Sequence, residues 1–200
     1  MKQIIIIGWW SCFTTKEAFY NSLKTREYNP FDKSKSWKSR IAKQTENTYQ
    51  TIIPEMPCKQ NADYIAWKIR FERQLPFLND KDTILIGHSQ WAVFLTKRLS
   101  ENLFPKKIKQ LHLISVVFDN NDLDEETIGN FSFDPKNLNN ITNQCEKIMI
   151  YHSKDDDIVP FRHSEELKKH LPTAKFIVFK NRGHFRQEEF PELLENIESS

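Results

Sequence analysis

Residues 85–95 read LIGHSQWAVFL, and this stretch decides the fold class. Its first half has the apolar pattern of a strand and its second half that of a helix, with a serine at the corner. Proteins with a serine nucleophile place it at such a corner within a G-x-S-x-G pattern. Gly87 and Ser89 fit this pattern, but Trp91 stands where the second glycine is expected. The stretch therefore predicts a nucleophile elbow with one irregular position.

Short apolar segments alternate with longer amphipathic segments along the rest of the chain. Strands are predicted at residues 2–7, 49–53, 83–87, 108–117, 147–151 and 175–179, and helical patterns occupy residues 61–78, 164–170 and 188–197. Several strands are almost continuous in Ile, Leu and Val, as expected when both faces of a sheet are covered. We therefore predict one α/β domain over residues 1–200, in which a mostly parallel sheet of about six strands lies between two helical layers.

Composition excludes several functional classes. The 200 residues have a formal net charge of +2, so no strong field favours binding to nucleic acid or to a membrane surface. The apolar run at residues 4–7 is too short to span a bilayer and is not followed by a signal-peptide cleavage site. The three cysteines are scattered and lack C-x-x-C spacing, which predicts reduced thiols and a cytoplasmic location.

Two polar segments interrupt the alternation of strands and helices. Residues 29–50 are basic around Trp37, which would suit RNA contact, but a solvated helix with Trp37 and Ile41 facing inward is the favoured interpretation. Residues 119–140 are acidic and then rich in asparagine. They predict a long surface connection that borders a site.

Glycine is rare in this chain, with only four residues, so its positions are informative. Gly8, Gly87 and Gly183 all fall in loops at the carboxyl ends of predicted strands. Ligands of open α/β sheets bind at that edge. The glycines therefore indicate a functional site there.

Two segments after Ser89 supply partners for a serine nucleophile. An acidic run at residues 155–157 follows one predicted strand, and His184 follows the last. The order serine, aspartate, histidine is the chain order of α/β-hydrolases. His184 would accept the proton of Ser89, and an aspartate would orient the imidazole. The hydrophobic residue, valine and proline that follow the run favour Asp156, with Asp155 as the second choice.

Five segments resemble the small α/β-hydrolases related to retinoblastoma-binding protein nine and the YdeN-type serine hydrolases of bacteria. They are IPEMPCKQNADYIAWK (53–68), LIGHSQ (85–90), LSENLFPKKIKQLHLIS (99–115), HSKDDDIVPF (152–161) and GHFRQEEFPEL (183–193). The resemblance implies a compact hydrolase without a large lid domain. It also implies a triad of Ser89, Asp156 and His184 that cleaves ester or amide bonds without a metal or an organic cofactor.

The chain departs from this family at two loops where small residues are usual. Trp9 and Trp10 follow Gly8 in the loop expected to help form the oxyanion hole, and Trp91 occupies the elbow. We expect the backbone N–H groups of Trp9 and Gln90 to form that hole, and Trp10 and Trp91 to line the substrate pocket. The alternative for Trp91 is packing in the core beneath the helix.

Three further histidines lie near the candidate residues. His88 precedes the serine and is expected to be structural. His152 and His163 flank the acidic run, but their spacing matches no metal-binding motif, so we predict solvated loop residues and no metal site.

The leading hypothesis is a carboxylesterase-like serine hydrolase, a monomer or homodimer, acting on small ester or amide substrates through an acyl-enzyme. A catalytically impaired α/β-hydrolase that binds a small ligand or a protein is the first alternative. A flavodoxin-like nucleotide binder is the second, and the absence of a glycine-rich phosphate loop disfavours it.

Overall fold

The computed structural model describes residues 1–8, 12–25, 36–58, 62–79, 81–124 and 126–199. Its strands are β1 (Lys2–Ile7), β2 (Tyr49–Ile52), β3 (Thr83–His88), β4 (Ile108–Ile114), β5 (Cys145–Ser153) and β6 (Lys175–Phe179). Its helices are α1 (Lys16–Thr25), α2 (Trp37–Gln44), α3 (Tyr64–Glu72), α4 (Gln90–Glu101), α5 (Asn139–Gln144), α6 (Arg162–His170) and α7 (Pro191–Glu198). Short 3₁₀ turns occupy Leu75–Phe77, Gly129–Phe131 and Pro135–Asn137.

The strands form one parallel sheet in the order β2-β1-β3-β4-β5-β6. Because β1 lies between β2 and β3, the direction of winding reverses at the β1–β3 boundary. Ligands of open α/β sheets bind outside the carboxyl ends of the strands at such a switch point. Gly8 follows β1 and Ser89 follows β3, so the topology brings these two loops together at that place.

Helices cover both faces of the sheet, as the apolar strands predict. Ile4 and Ile6 of β1 pack in a cluster with residues of α2 and α7, whereas Ile5 and Ile7 join a cluster with residues of α3, α4, α5 and α6. This alternation follows from the two-residue period of a strand. The predicted three-layer arrangement is therefore confirmed.

Some boundaries differ from the predicted ones for local reasons. β4 ends at Ile114 because Ser115 has a φ of 44°, which a strand cannot contain. α3 ends at Glu72, four residues before Pro76, whose ring would clash with the carbonyl of residue 72 in a longer helix. Helix α1 was not predicted, since its buried residues are only Ala18 and Ser22 and form no apolar stripe.

The structures of the two polar segments match the predictions in part. Trp37 and Ile41 of α2 are buried, as predicted, whereas residues 29–35 of that segment lie outside the described residues. In the connection between β4 and α5, Phe131 and Leu138 are fully buried. This connection therefore packs on the core instead of lying only on the surface.

Helix length and the state of the thiols are the structural features that relate to the predictions from composition. None of the helices among the described residues is long and apolar enough to cross a bilayer. Cys12, Cys58 and Cys145 are free thiols, and burial raises the pKa of Cys145 to about 12, so it stays protonated. Domain number, oligomeric state and cytoplasmic location stay predictions.

Candidate active site

Ser89 occupies the turn between β3 and α4. Its φ of 60° and ψ of −129° lie outside the regions that non-glycine residues usually adopt, which costs about 1–3 kcal/mol. Its N–H donates a 2.8 Å hydrogen bond to the carbonyl of Ile114, which ties the turn to the end of β4. The Ser89 side chain does not cap α4. The turn is therefore a strained strand-to-helix turn, the geometry that the prediction of a nucleophile elbow requires.

Gly87 explains how α4 can begin so close to β3. A Cβ atom at this position would lie 2.9 Å from the Cα and N atoms of Ala92 and from the carbonyl oxygen of Trp91. These are backbone atoms, so they cannot move aside without displacing the helix. The first glycine of the elbow pattern is therefore a steric requirement of this turn.

Asp156 and His184 meet because β5 and β6 are neighbours and each residue follows one of them. His184 Nδ1 lies 2.9 Å from Asp156 Oδ1 and 3.0 Å from Oδ2, and both side chains are fully buried. Asp157 is exposed and pairs with Arg186 at 3.2 Å. Of the three consecutive aspartates, Asp156 is thus the one in contact with the histidine.

The Asp156 carboxylate has further donors. Oδ1 accepts hydrogen bonds from the N–H groups of Ile158 and Val159 at 3.0 and 2.9 Å, and Oδ2 accepts one from Ser115 Oγ at 2.7 Å. Burial by itself raises the pKa of Asp156, but the hydrogen bond and charge of His184 and the two backbone N–H groups outweigh it. The net pKa is below its usual value, so the carboxylate is ionised at neutral pH.

Asp155, the second choice for the acid that orients His184, contacts the loop before His184 instead of the His184 ring. Its Oδ1 accepts hydrogen bonds from Ser153 Oγ and from the N–H of Gly183, and the hydrogen bond from Ser153 is the main cause of its lowered pKa. Ser153 Oγ also accepts the N–H of Arg182 at 2.9 Å. Asp155 therefore holds the loop that precedes His184.

His88 connects the elbow to the loop of His184. Its Nε2–H donates to the carbonyl of His184 at 3.0 Å, and the two rings lie 4.9 Å apart. Burial lowers the pKa of His88 well below its usual value, so the ring is neutral. Trp37 Nε1–H donates to the carbonyl of Phe185 at 3.0 Å and ties the same loop to α2. Ser89 and His184 are therefore joined through the residue that precedes the serine.

A cavity of about 290 Å³ borders the loop of Asp156. Asp157 and Ile158 contribute to it from that loop, and Leu123 and Asp124 contribute from the connection after β4. Phe13 closes another side. The connection thus borders a cavity at the carboxyl edge of the sheet, as its length predicts.

The residues predicted for the oxyanion hole and pocket divide into three cases. Gln90 begins α4, so its N–H has no partner within the helix, and its side chain turns away to donate to the carbonyl of Ile128 at 3.2 Å. Trp9 and Trp10 lie outside the described residues. Trp91 is fully buried in the core, where its indole stacks on Trp67 of α3 at a centroid distance of 3.7 Å. The expectation that Trp91 lines a pocket does not match this placement, because its indole ring packs on the aromatic face of α3 in the core.

The family model for serine hydrolases matches residues 30–198 of this chain. The chain belongs to the serine hydrolase family. The rat serine hydrolase RBBP9 is 32% identical to it over 152 residues, which cover 76% of this chain and 77% of the relative. The resemblance noted in the five sequence segments is therefore confirmed.

Two solved structures show the fold of this serine hydrolase. The ydeN gene product of B. subtilis superimposes with a TM-score of 0.76 at 20% identity, covering 100% of this chain and 98% of that one. The meta-cleavage product hydrolase CumD from Pseudomonas fluorescens IP01 superimposes with a TM-score of 0.65 at 13% identity, covering 98% and 89%. The chain therefore has a three-layer α/β-hydrolase fold.

Sequence reasoning missed part of the surroundings of Asp156 in this serine hydrolase. His152 and His163 were predicted to be solvated, and this is wrong because both are fully buried. Burial, and then the charge of Arg162, lowers the pKa of His163 to about 4, so it is neutral and accepts the N–H of Phe118 at 3.2 Å. The signal that was available for His152 is its place at the end of an apolar strand.

Proposed function

We propose that the chain is a carboxylesterase-like serine hydrolase that cleaves small ester or amide substrates through an acyl-enzyme. One observation carries this proposal. His184 Nδ1 makes a buried contact of 2.9 Å with Asp156 Oδ1, and His88, which precedes Ser89 in the strained turn, donates to the carbonyl of His184. A histidine held in this way presents its other ring nitrogen, Nε2, as a general base.

The proposed reaction has two halves. Ser89 Oγ attacks the substrate carbonyl while His184 Nε2 takes the hydroxyl proton, and Asp156 stabilises the imidazolium that forms. The N–H of Gln90, with that of Trp9 as the proposed second donor, would bind the negative oxygen. The imidazolium then gives its proton to the leaving alcohol or amine. Water, deprotonated by His184, releases the acid and restores Ser89.

A cavity of about 290 Å³ lies beside the loop of Asp156, with apolar surface from Phe13, Leu123 and Ile158. Asp157 and Ile158, the two residues after Asp156, line it, whereas Ser89, Asp156 and His184 do not. The proposal of a small ester or amide substrate therefore follows from the chemistry of the three residues and not from the size of this cavity.

Two measurements on Ser89 test this function. A fluorophosphonate probe should label the folded protein, and the protein should hydrolyse p-nitrophenyl acetate or butyrate. Both signals should disappear in Ser89→Ala. Ser100→Ala is the matched control, because Ser100 is a buried serine near the other end of α4, the helix that follows Ser89, and should not affect either signal. A folded protein that is neither labelled nor active would instead support a binding role.

Gly87→Ala should lower kcat by more than its loss of stability can explain. The added Cβ must push the start of α4 away from β3, which displaces Ser89 and the N–H of Gln90. Displacement of a reacting group by about 1 Å costs on the order of 10²-fold in rate, so kcat should fall by about that factor. Steady-state hydrolysis of p-nitrophenyl butyrate measures it.

Gly129→Ala is the control for this substitution. Gly129, unlike Gly87, has a positive φ, of 52°, and a Cβ there would meet only the Cys12 side chain at 3.2 Å. This variant should lose about 1–2 kcal/mol of stability and keep its kcat. Equal kcat values for the Gly87→Ala variant and the wild type would show that the close approach of the helix is not needed for catalysis.

A further inference from the structure

A second buried histidine lies beside Asp156. His152 is near the end of β5, and its Nε2 lies 2.9 Å from the carbonyl oxygen of Val159 and 3.5 Å from Asp156 Oδ2. Its Nδ1 lies 2.6 Å from the hydroxyl of Ser164, in the first turn of α6. His152 and Ser164 are both fully buried. The acid of the proposed triad therefore has a histidine neighbour besides His184.

The surroundings determine the protonation of His152. The two oxygens near Nε2 belong to a carbonyl and a carboxylate and can only accept, so Nε2 carries the proton. Nδ1 then accepts the hydroxyl proton of Ser164. The ionisable groups that face the ring are Asp156, His184, His163 and Glu165. Burial is the largest influence and lowers the pKa of His152 despite the carboxylates, so the ring is neutral in a single tautomer.

His152 and Asp156 bind the same short turn from two sides. Val159 donates its N–H to Asp156 Oδ1 and accepts the Nε2–H of His152 on its carbonyl. Ile158 donates a second N–H to the same carboxylate oxygen. Without the donor of His152, the Val159 carbonyl would lose its partner and the turn would be free to shift.

We propose that His152, whose ring is held in place by the hydrogen bond from Ser164, is a positioning residue of the hydrolase. It fixes the turn of residues 156–159 and thereby the carboxylate that orients His184. This inference rests on the proposed function and adds a role for residues that do not touch the reacting atoms. A purely structural histidine would contribute stability without affecting the general base.

Kinetics of two variants at His152 test the proposal. In His152→Leu, kcat for p-nitrophenyl butyrate should fall by about 10²-fold, since the carboxylate is displaced, while KM stays within about twofold. The acid limb of the kcat/KM profile, which reports protonation of the general base, should move to lower pH because the imidazolium is less well stabilised. In His152→Gln, an amide N–H can replace Nε2–H, and kcat should recover to within about tenfold of the wild type.

His112→Leu is the matched control. His112 is also fully buried and neutral, with Tyr151 Oη and Gln110 Oε1 each at 2.8 Å, but its partners lie within the sheet instead of in the turn of Asp156. It should lose stability without a change in kcat or in the acid limb. The proposal is overturned if folded His152→Leu keeps the wild-type kcat and acid limb, or if His112→Leu loses as much kcat.

Two further results complete the test. If His152→Leu does not fold, His152→Gln and Ser164→Ala decide. Ser164→Ala should lower kcat several-fold because the imidazole of His152 loses the hydrogen bond that fixes its orientation, and wild-type kinetics in both variants would refute the role. Labelling of wild-type Ser89 by fluorophosphonate separates the two proposals. Labelled, active wild type with fully active His152 variants refutes only the positioning role, whereas an inert wild type refutes both proposals.

Discussion

Asp156→Asn is expected to lower kcat for ester hydrolysis by about 10⁴-fold, because a neutral amide cannot stabilise the imidazolium of His184. The amide oxygen can still accept from the N–H groups of Ile158 and Val159, which places the amide N–H₂ where Oδ2 lies, beside His184 Nδ1. His184 Nδ1 would then accept a hydrogen bond instead of donating one, so the proton would sit on Nε2 and the general base would be lost. Pre-steady-state hydrolysis of p-nitrophenyl acetate, which separates acylation from deacylation, measures the loss in both steps.

The two neighbouring aspartates provide controls with the same chemical change. Asp157→Asn removes an exposed ion pair with Arg186 and should leave kcat within about twofold. Asp155→Asn keeps an oxygen for the N–H of Gly183 and should lower kcat only several-fold. If Asp157→Asn impaired kcat as strongly as Asp156→Asn, or Asp156→Asn kept a tenth of the activity, the proposed acid would be wrong.

Trp91→Gly restores the usual elbow motif, but we expect it to lower the stability of the protein instead of raising it. Truncating a buried tryptophan costs about 3–5 kcal/mol, and a glycine inside a helix adds about 1 kcal/mol. The lost contacts are the stack on Trp67 and the edge contact with Phe94. For a chain of this size the melting temperature should fall by about 10–20 °C, as measured by calorimetry.

Trp91→Phe separates packing from the indole N–H. Within the described part of the chain the Nε1–H of Trp91 is buried without an acceptor, so its removal relieves an unfavourable burial. The phenyl ring keeps much of the stack, and the net loss should be less than about 2 kcal/mol. A Trp91→Gly variant with wild-type stability and higher activity would show that the tryptophan obstructs the site.

Strand positions could be predicted where burial and backbone geometry agree. The predicted bounds of β1 and β6 coincide with those observed, since each apolar run ends where the strand ends. After β4, Val116 and Val117 are buried and continue the apolar pattern, but the backbone has already left the strand conformation at Ser115. An apolar pattern reports burial, which is not the same property as strand geometry.

The same distinction limits prediction of the site. The neighbouring positions of Asp156 and His184 could be predicted because each follows its own strand in a recognisable order, and the catalytic roles of both, with that of Ser89, stay predictions. The burial of His152 was missed because the predicted strand ends one residue before it, whereas β5 runs to Ser153. The G-x-S-x-G motif has glycine at both positions of the elbow. In this structure the helix backbone crowds position 87, which requires glycine, whereas the side chain at position 91 is buried in the core.

The parallel indoles of Trp67 and Trp91 also have an optical consequence. Their rings lie 3.7 Å apart at an interplanar angle of 16°, close enough for their electronic transitions to couple. Near-ultraviolet circular dichroism depends on such fixed aromatic packing and is lost when tertiary packing loosens. One of the two chromophores is only two residues from Ser89. The protein thus contains an intrinsic spectroscopic reporter of order directly beneath its candidate nucleophile.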